Sequence, residues 1–127
     1  MSVATAQRKV LIVEDDADIR GLLNTRLRQH SYDTAVATDG MSALVVARRE
    51  QPDLIVLDLG LPAGDGFTVM ERLRSITVLA DVPVVVITAR DAATNREKAE
   101  LLGAVAFVEK PIDFDQLLET IDGHLIG

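Results

Sequence analysis

The sequence contains no cysteine. Disulfides, thiolate metal sites and cysteine nucleophiles are excluded, and a reducing cytoplasm is the expected location. Aromatic residues are scarce, at 3% against 48% apolar residues overall, so the core has to be aliphatic, built from Val, Leu, Ile and Ala. Basic charge is in deficit: 13 Lys and Arg stand against 20 Asp and Glu, for a net charge of -7. That balance argues against nonspecific binding of nucleic acid or an anionic membrane through a basic face. No run approaches the roughly 20 apolar residues of a membrane span, and residues 1–9 hold no apolar core of signal-peptide length. Neither Gly-x-x-x-x-Gly-Lys-Ser/Thr nor Gly-x-Gly-x-x-Gly occurs, which removes the main phosphate-cradling loops of nucleotide-binding folds.

What the chain does have is three short, continuous apolar runs. Val10-Leu11-Ile12-Val13, Leu54-Ile55-Val56-Leu57 and Val84-Val85-Val86-Ile87 are too short for core helices and too apolar for surface strands. They read as strands buried on both faces of a parallel sheet. A strand over Thr34 to Ala37 and a more exposed one over Val105 to Val108 complete a set of five. Between them lie helical patterns: Ala17 to Gln29, with Ile19, Leu22, Leu23 and Leu27 on one face; Met41 to Glu50, with Ala43, Leu44, Ala47 and one of the two valines inward; Phe67 to Ile76; Ala92 to Leu102, polar along much of its length; and a last helix from about Asp113, striped by Phe114, Leu117, Leu118, Ile121 and Leu125. Five alternating strand–helix units predict an α/β fold, a doubly wound five-stranded parallel sheet of order 2-1-3-4-5. The 127 residues are expected to form a single domain, with residues 1–8 a loose lead-in.

In such sheets the working groups stand at the carboxyl ends of the strands. The first strand ends in Glu14-Asp15-Asp16, the third in Asp58, the fourth in Thr88 and the fifth in Glu109-Lys110-Pro111. Capping of the next helix accounts for one of the first three acids, or two; it does not explain all of them. In the predicted order Glu14, Asp15, Asp58, Thr88 and Lys110 converge at one edge. Carboxylates so close resist ionisation unless cations compensate. Lys110 supplies one positive charge, and an oxygen-ligated Mg²⁺ fits the remainder better than zinc. A carboxylate held beside a metal, a hydroxyl and an ammonium is equipped to attack phosphorus and form an aspartyl phosphate.

The segments Val10-Leu11-Ile12-Val13-Glu14-Asp15-Asp16, Asp58-Leu59-Gly60-Leu61-Pro62 with Asp65-Gly66, Val86-Ile87-Thr88-Ala89 and Lys110-Pro111 occur in order over about Lys9 to Leu125. In this the chain resembles the response-regulator receiver domain (CheY-like) of two-component signal transduction. The resemblance implies that Asp58 accepts a phosphoryl group from a histidine kinase, a histidine phosphotransfer protein or a small phosphodonor. It implies Mg²⁺, with Mn²⁺ able to substitute, held by Glu14, Asp15, Asp58 and the Gly60 carbonyl. It implies a cis Lys110-Pro111 bond, and a switch in which Thr88 moves toward the phosphoryl group and Phe107 turns inward behind it. The surface reporting that state is the one formed by the fourth helix, fifth strand and fifth helix. No conventional enzyme activity is implied beyond self-catalysed phosphotransfer and autodephosphorylation, whose rate Gly60 and Arg90 tune.

The output is a downstream protein or a fused output domain, with no nucleic acid or membrane bound by this domain. The last helix lacks the basic pattern of dimerising transcription-factor receivers, so the expected state is a monomer or a weak, phosphorylation-dependent dimer. The alternative is a pseudo-receiver, the same fold used as a phosphorylation-independent protein-binding module. The complete set of acids, Asp58, Thr88 and Lys110 favours the switch.

Overall fold

A computed structural model describes residues 7–61, 66–89 and 93–125. Pro62 and Asp65 of the motif segments, the lead-in through Ala6 and Arg90 lie outside the described residues. Strands and helices alternate as β1 Lys9–Val13, α1 Ala17–Gln29, β2 Asp33–Ala37, α2 Gly40–Glu50, β3 Leu54–Asp58, α3 Gly66–Ser75, β4 Val84–Thr88, α4 Ala93–Leu101, β5 Ala104–Glu109 and α5 Phe114–Leu125. The strands pair in parallel in the order β2-β1-β3-β4-β5. One short 3-10 turn, Thr77–Leu79, interrupts the connection between α3 and β4, where Leu79 is buried.

The apolar runs are continuous because both faces of the central strands are covered. Leu11 and Val13 of β1, Ile55 and Leu57 of β3, and Val84 and Val86 of β4 face α2, α3 and Ala99 of α4. Val10 and Ile12, Leu54 and Val56, and Val85 and Ile87 face Leu23 and Leu27 of α1 and Leu117 and Ile121 of α5. On α1 one residue departs from expectation, since Leu22 is exposed; on α2 the inward valine is Val46, while Val45 stays out. Where β4 meets β5 the register slips by a residue, since Val84 pairs with Ala104 but Val85 with Ala106. Val105 is the extra residue and is partly exposed.

Helix ends follow local chemistry. Asp16 caps α1 by accepting from the Asp18 and Ile19 N–H groups, and Asp39 forms a capping box with Ser42 on α2. The Lys110-Pro111 peptide is cis, as the resemblance implies. Among the described residues no helix is long and apolar enough to cross a membrane.

His30, which follows the last residue of α1, has a side-chain partner. Its Nε2 lies 2.9 Å from Asp122 Oδ2 on α5, and the buried Tyr32 hydroxyl donates to Asp122 Oδ1. Burial together with Asp122 holds the Tyr32 hydroxyl well above its usual pKa. Burial pushes the Asp122 carboxyl up, but Tyr32 and His30 outweigh it and hold it below the usual range. Asp122→Ala leaves a buried hydroxyl without its charged acceptor and is expected to cost about 1.5–3 kcal/mol at pH 7. Because the folded-state pKa of Asp122 is depressed, this contribution is present above the ordinary carboxylate value and is lost as pH falls through the lower folded value. Urea melts at pH 7 and in the acid range check it. A wild-type advantage that stays constant into the acid range would remove the charge from the explanation.

Candidate functional site

The site is built where β1, β3 and β5 end. Glu14 leaves β1 with its N–H bonded to Ala37 O at the end of β2 (3.1 Å). It is 1% exposed, while its neighbour Asp15 is exposed. The loop that carries both acids is pinned by Arg20 of α1, whose Nη1 donates to Glu14 O at 3.0 Å and Asp15 O at 3.2 Å. Bonds to main-chain carbonyls leave no side-chain signature to read. The Asp16 N–H donates to Glu14 Oε2 (3.1 Å), so the helix start and the acid position each other.

Asp58 closes β3, buried, with Oδ1 accepting from the Gly60 N–H at 3.0 Å. A Cβ on Gly60 would meet Asp58 Oδ1 at an ordinary 3.6 Å, so Gly60 leaves this side of the carboxylate open without being forced to by sterics. Thr88 closes β4 and is buried. Its carbonyl accepts from the Lys110 N–H at 2.8 Å. The Lys110 side chain reaches across the sheet edge, with Nζ 3.0 Å from Glu14 Oε1 and 3.4 Å from Asp58 Oδ2. Phe107, half-buried on β5, lies under the Arg96 guanidinium. Glu14, Asp15, Asp58 and Lys110 are thus brought together. Thr88 lies on the adjoining strand end, and Arg90 is outside the described residues.

The electrostatics are strained in one direction. Burial pushes the Glu14 carboxyl up, and the negative charge of Asp58 adds to this. The Asp16 N–H and Lys110 oppose it without winning, so the group sits at about 7. Burial pulls the Lys110 ammonium down, but Glu14 and Asp58 outweigh it and hold it above its usual range. Lys110 Nζ is near Glu14 Oε1 but out of line for a hydrogen bond, and this buried oxygen has no hydrogen-bond partner in the described structure.

One carboxylate oxygen from each of Glu14, Asp15 and Asp58 lies within 4.8 Å of the others. Three acids against one ammonium, with a buried oxygen lacking a donor, fit a hard, oxygen-ligated divalent cation. Such a cluster can hold a cation and present Asp58, already beside an ammonium, to an incoming electrophile.

Residues 10–122 match the family model described as response regulator receiver domain. The chain belongs to the response regulator receiver family. Among its relatives, the receiver domain is 38% identical over 113 residues to the DNA-binding dual master transcriptional regulator RpaA of Synechocystis sp., covering 89% of this chain and 47% of that protein. The sporulation initiation phosphotransferase F of Bacillus subtilis is 32% identical, with 92% of this chain and 93% of that one aligned. Among solved structures, the chemotaxis response regulator CheY4 of Vibrio cholerae superposes with a TM-score of 0.88 at 27% identity, covering 94% of this chain and all of that one. The receiver spans about half the length of the first of its curated relatives, which carry more chain than this domain.

Proposed function

We propose that the protein is a phosphoacceptor switch in which Asp58 takes a phosphoryl group from a histidine kinase or a histidine phosphotransfer protein. The observation that carries this reading is the convergence of Glu14, Asp15, Asp58 and Lys110 from three different strand ends. The Asp58 carboxylate attacks phosphorus and the donor's phosphorus–nitrogen bond breaks, the electron pair returning to the imidazole. No general base is needed, because an ionised carboxylate is already a nucleophile. Lys110 neutralises a phosphoryl oxygen, and Thr88 donates a hydrogen bond to another. Glu14, Asp15, Asp58 and the Gly60 carbonyl would hold Mg²⁺, or Mn²⁺ in its place, whose charge offsets that of the phosphoryl oxygens.

The acyl phosphate draws Thr88 and Phe107 inward and re-shapes the surface of α4, β5 and α5. That surface addresses a downstream protein or an output domain in a longer chain. Gly60 and Arg90 set the rate of self-catalysed dephosphorylation. The domain works in the cytoplasm, as a monomer or a weak phosphorylation-dependent dimer.

Incubation with acetyl phosphate, followed by intact mass measurement, tests this reading. With Mg²⁺ one adduct of about 80 Da is expected, and chelation should remove it. Absence of the adduct, together with no binding of beryllofluoride, would leave the pseudo-receiver reading in its place.

A further inference from the structure

Helix α4 is lightly anchored. Among its described side chains only Ala99 is buried, and Leu101 is 80% exposed. In place of an apolar stripe, cations on its surface rest on aromatic rings of neighbouring elements. The Arg96 guanidinium carbon stands 5.0 Å from the centroid of the Phe107 ring on β5. Lys98 Nζ stands 4.4 Å from the centroid of Phe67 at the start of α3. Just past the helix, Arg74 Nη1 donates to Leu102 O at 2.9 Å. Gly103, at φ +99, permits this: a Cβ there would meet the same nitrogen at 2.0 Å.

Arg96 differs from the other two tethers in what it holds. Two surface recesses of about 430 and 320 Å³ both have Arg96 and Phe107 among their lining residues. The ring therefore has open space beside it, and a cation fixes it on its α4 side.

We propose that Arg96 is a positioning residue whose guanidinium retains the Phe107 ring in its resting place and ties the position of α4 to it. The inward arrangement of Phe107 is reached by breaking this contact. The proposal rests on the reading of Asp58 and Phe107 as parts of one switch. A partly exposed cation–ring contact biases a two-state equilibrium by about two- to fivefold. When the binding-competent state is the minor one, apparent affinity for a phosphoryl mimic improves by the same factor once the contact is lost.

The test uses the chain with its three phenylalanines replaced by 4-fluorophenylalanine, titrated with beryllofluoride in Mg²⁺ and followed by fluorine NMR. Wild type is compared with Arg96→Ala, Arg96→Lys and Lys98→Ala. In Arg96→Ala the Phe107 resonance is expected to move, before any mimic is added, toward its mimic-bound position, and beryllofluoride binding to tighten about threefold. Arg96→Lys, which keeps a cation, should fall between Arg96→Ala and wild type. Lys98→Ala should speed amide exchange in α4 while leaving the Phe107 resonance and the affinity as in wild type. The proposal is overturned if Arg96→Ala leaves the resonance and affinity unchanged, or if Lys98→Ala reproduces both effects through general loosening. Failure of wild type to bind beryllofluoride would instead sink the Asp58 reading. The Phe107 resonance of Arg96→Ala would still decide the positioning role, an unmoved line ruling it out.

Discussion

Asp58→Asn is expected to abolish the acetyl phosphate adduct completely and, in the same protein, to raise the melting temperature in the absence of metal. The first half follows from nucleophilicity. An amide oxygen does not attack phosphorus at a useful rate, whereas a carboxylate does. Asn is nearly isosteric and keeps an oxygen able to accept from the Gly60 N–H, which now bonds Asp58 Oδ1 at 3.0 Å.

The second half follows from the charge balance. Asp58 is one of three clustered acids facing a single ammonium, and its charge helps push the buried Glu14 carboxyl up. Removing it relieves repulsion while Lys110 keeps its contact with Glu14. A gain on the order of 1 kcal/mol is reasonable for a local charge change of this kind, or a few degrees for a domain of this size. Intact mass and calorimetry with chelator present measure the two effects. An adduct that survives the substitution would move the acceptor to another carboxylate. A melting temperature that falls would show that Asp58 pays its way structurally and that the cluster is not held at a cost to stability.

The second large effect is expected in the core beneath the site. Leu57 precedes Asp58 on β3, is fully buried and packs with the cluster that includes Val13, Val86 and Met70. Leu57→Ala removes buried methyl groups from a sheet covered on both faces, where the surroundings have little freedom to collapse. A loss of about 2–5 kcal/mol is expected, enough to lower the melting temperature by roughly 10 °C or more. Leu101→Ala is the matched comparison. The same chemical change at a residue 80% exposed is expected to alter stability by no more than about 0.5 kcal/mol. Urea titrations with an unchanged slope would assign both results to stability. Comparable losses at the two positions would contradict the burial argument.

The parallel sheet and the edge that carries Asp58 were legible because a strand buried on both faces leaves an uninterrupted apolar run, and a run that ends on an acid or lysine marks a strand end. Glu14, Asp15, Asp58 and Lys110 each stand just after such a run and are legible for that reason. The choice between Val45 and Val46 was not legible, since adjacent identical residues carry no phase. Leu22 misled because it shares a helical face with Ile19 and Leu23 yet falls at the rim. The tie between Tyr32 and Asp122 joins residues 90 apart in the chain, and the Arg96–Phe107 contact joins a polar helix to a strand; neither has a local pattern. The Arg20 clamp on main-chain carbonyls is equally silent, although it decides where two of the acids stand.

The irregular pairing of β4 with β5 has a consequence of parity. Neighbouring residues paired in a parallel sheet project to the same side, and each step along a strand reverses the side. Because Val105 is skipped, Phe107 pairs with Val86 and faces α4, while Ala106 and Val108 face α5. Had Val105 been paired in regular register with Val85, Phe107 would pair with Ile87 and its ring would project toward α1 and α5, on the side away from Arg96. The bulge at Val105 thus acts as a frame-setter, fixing which half of the molecule the aromatic side chain addresses.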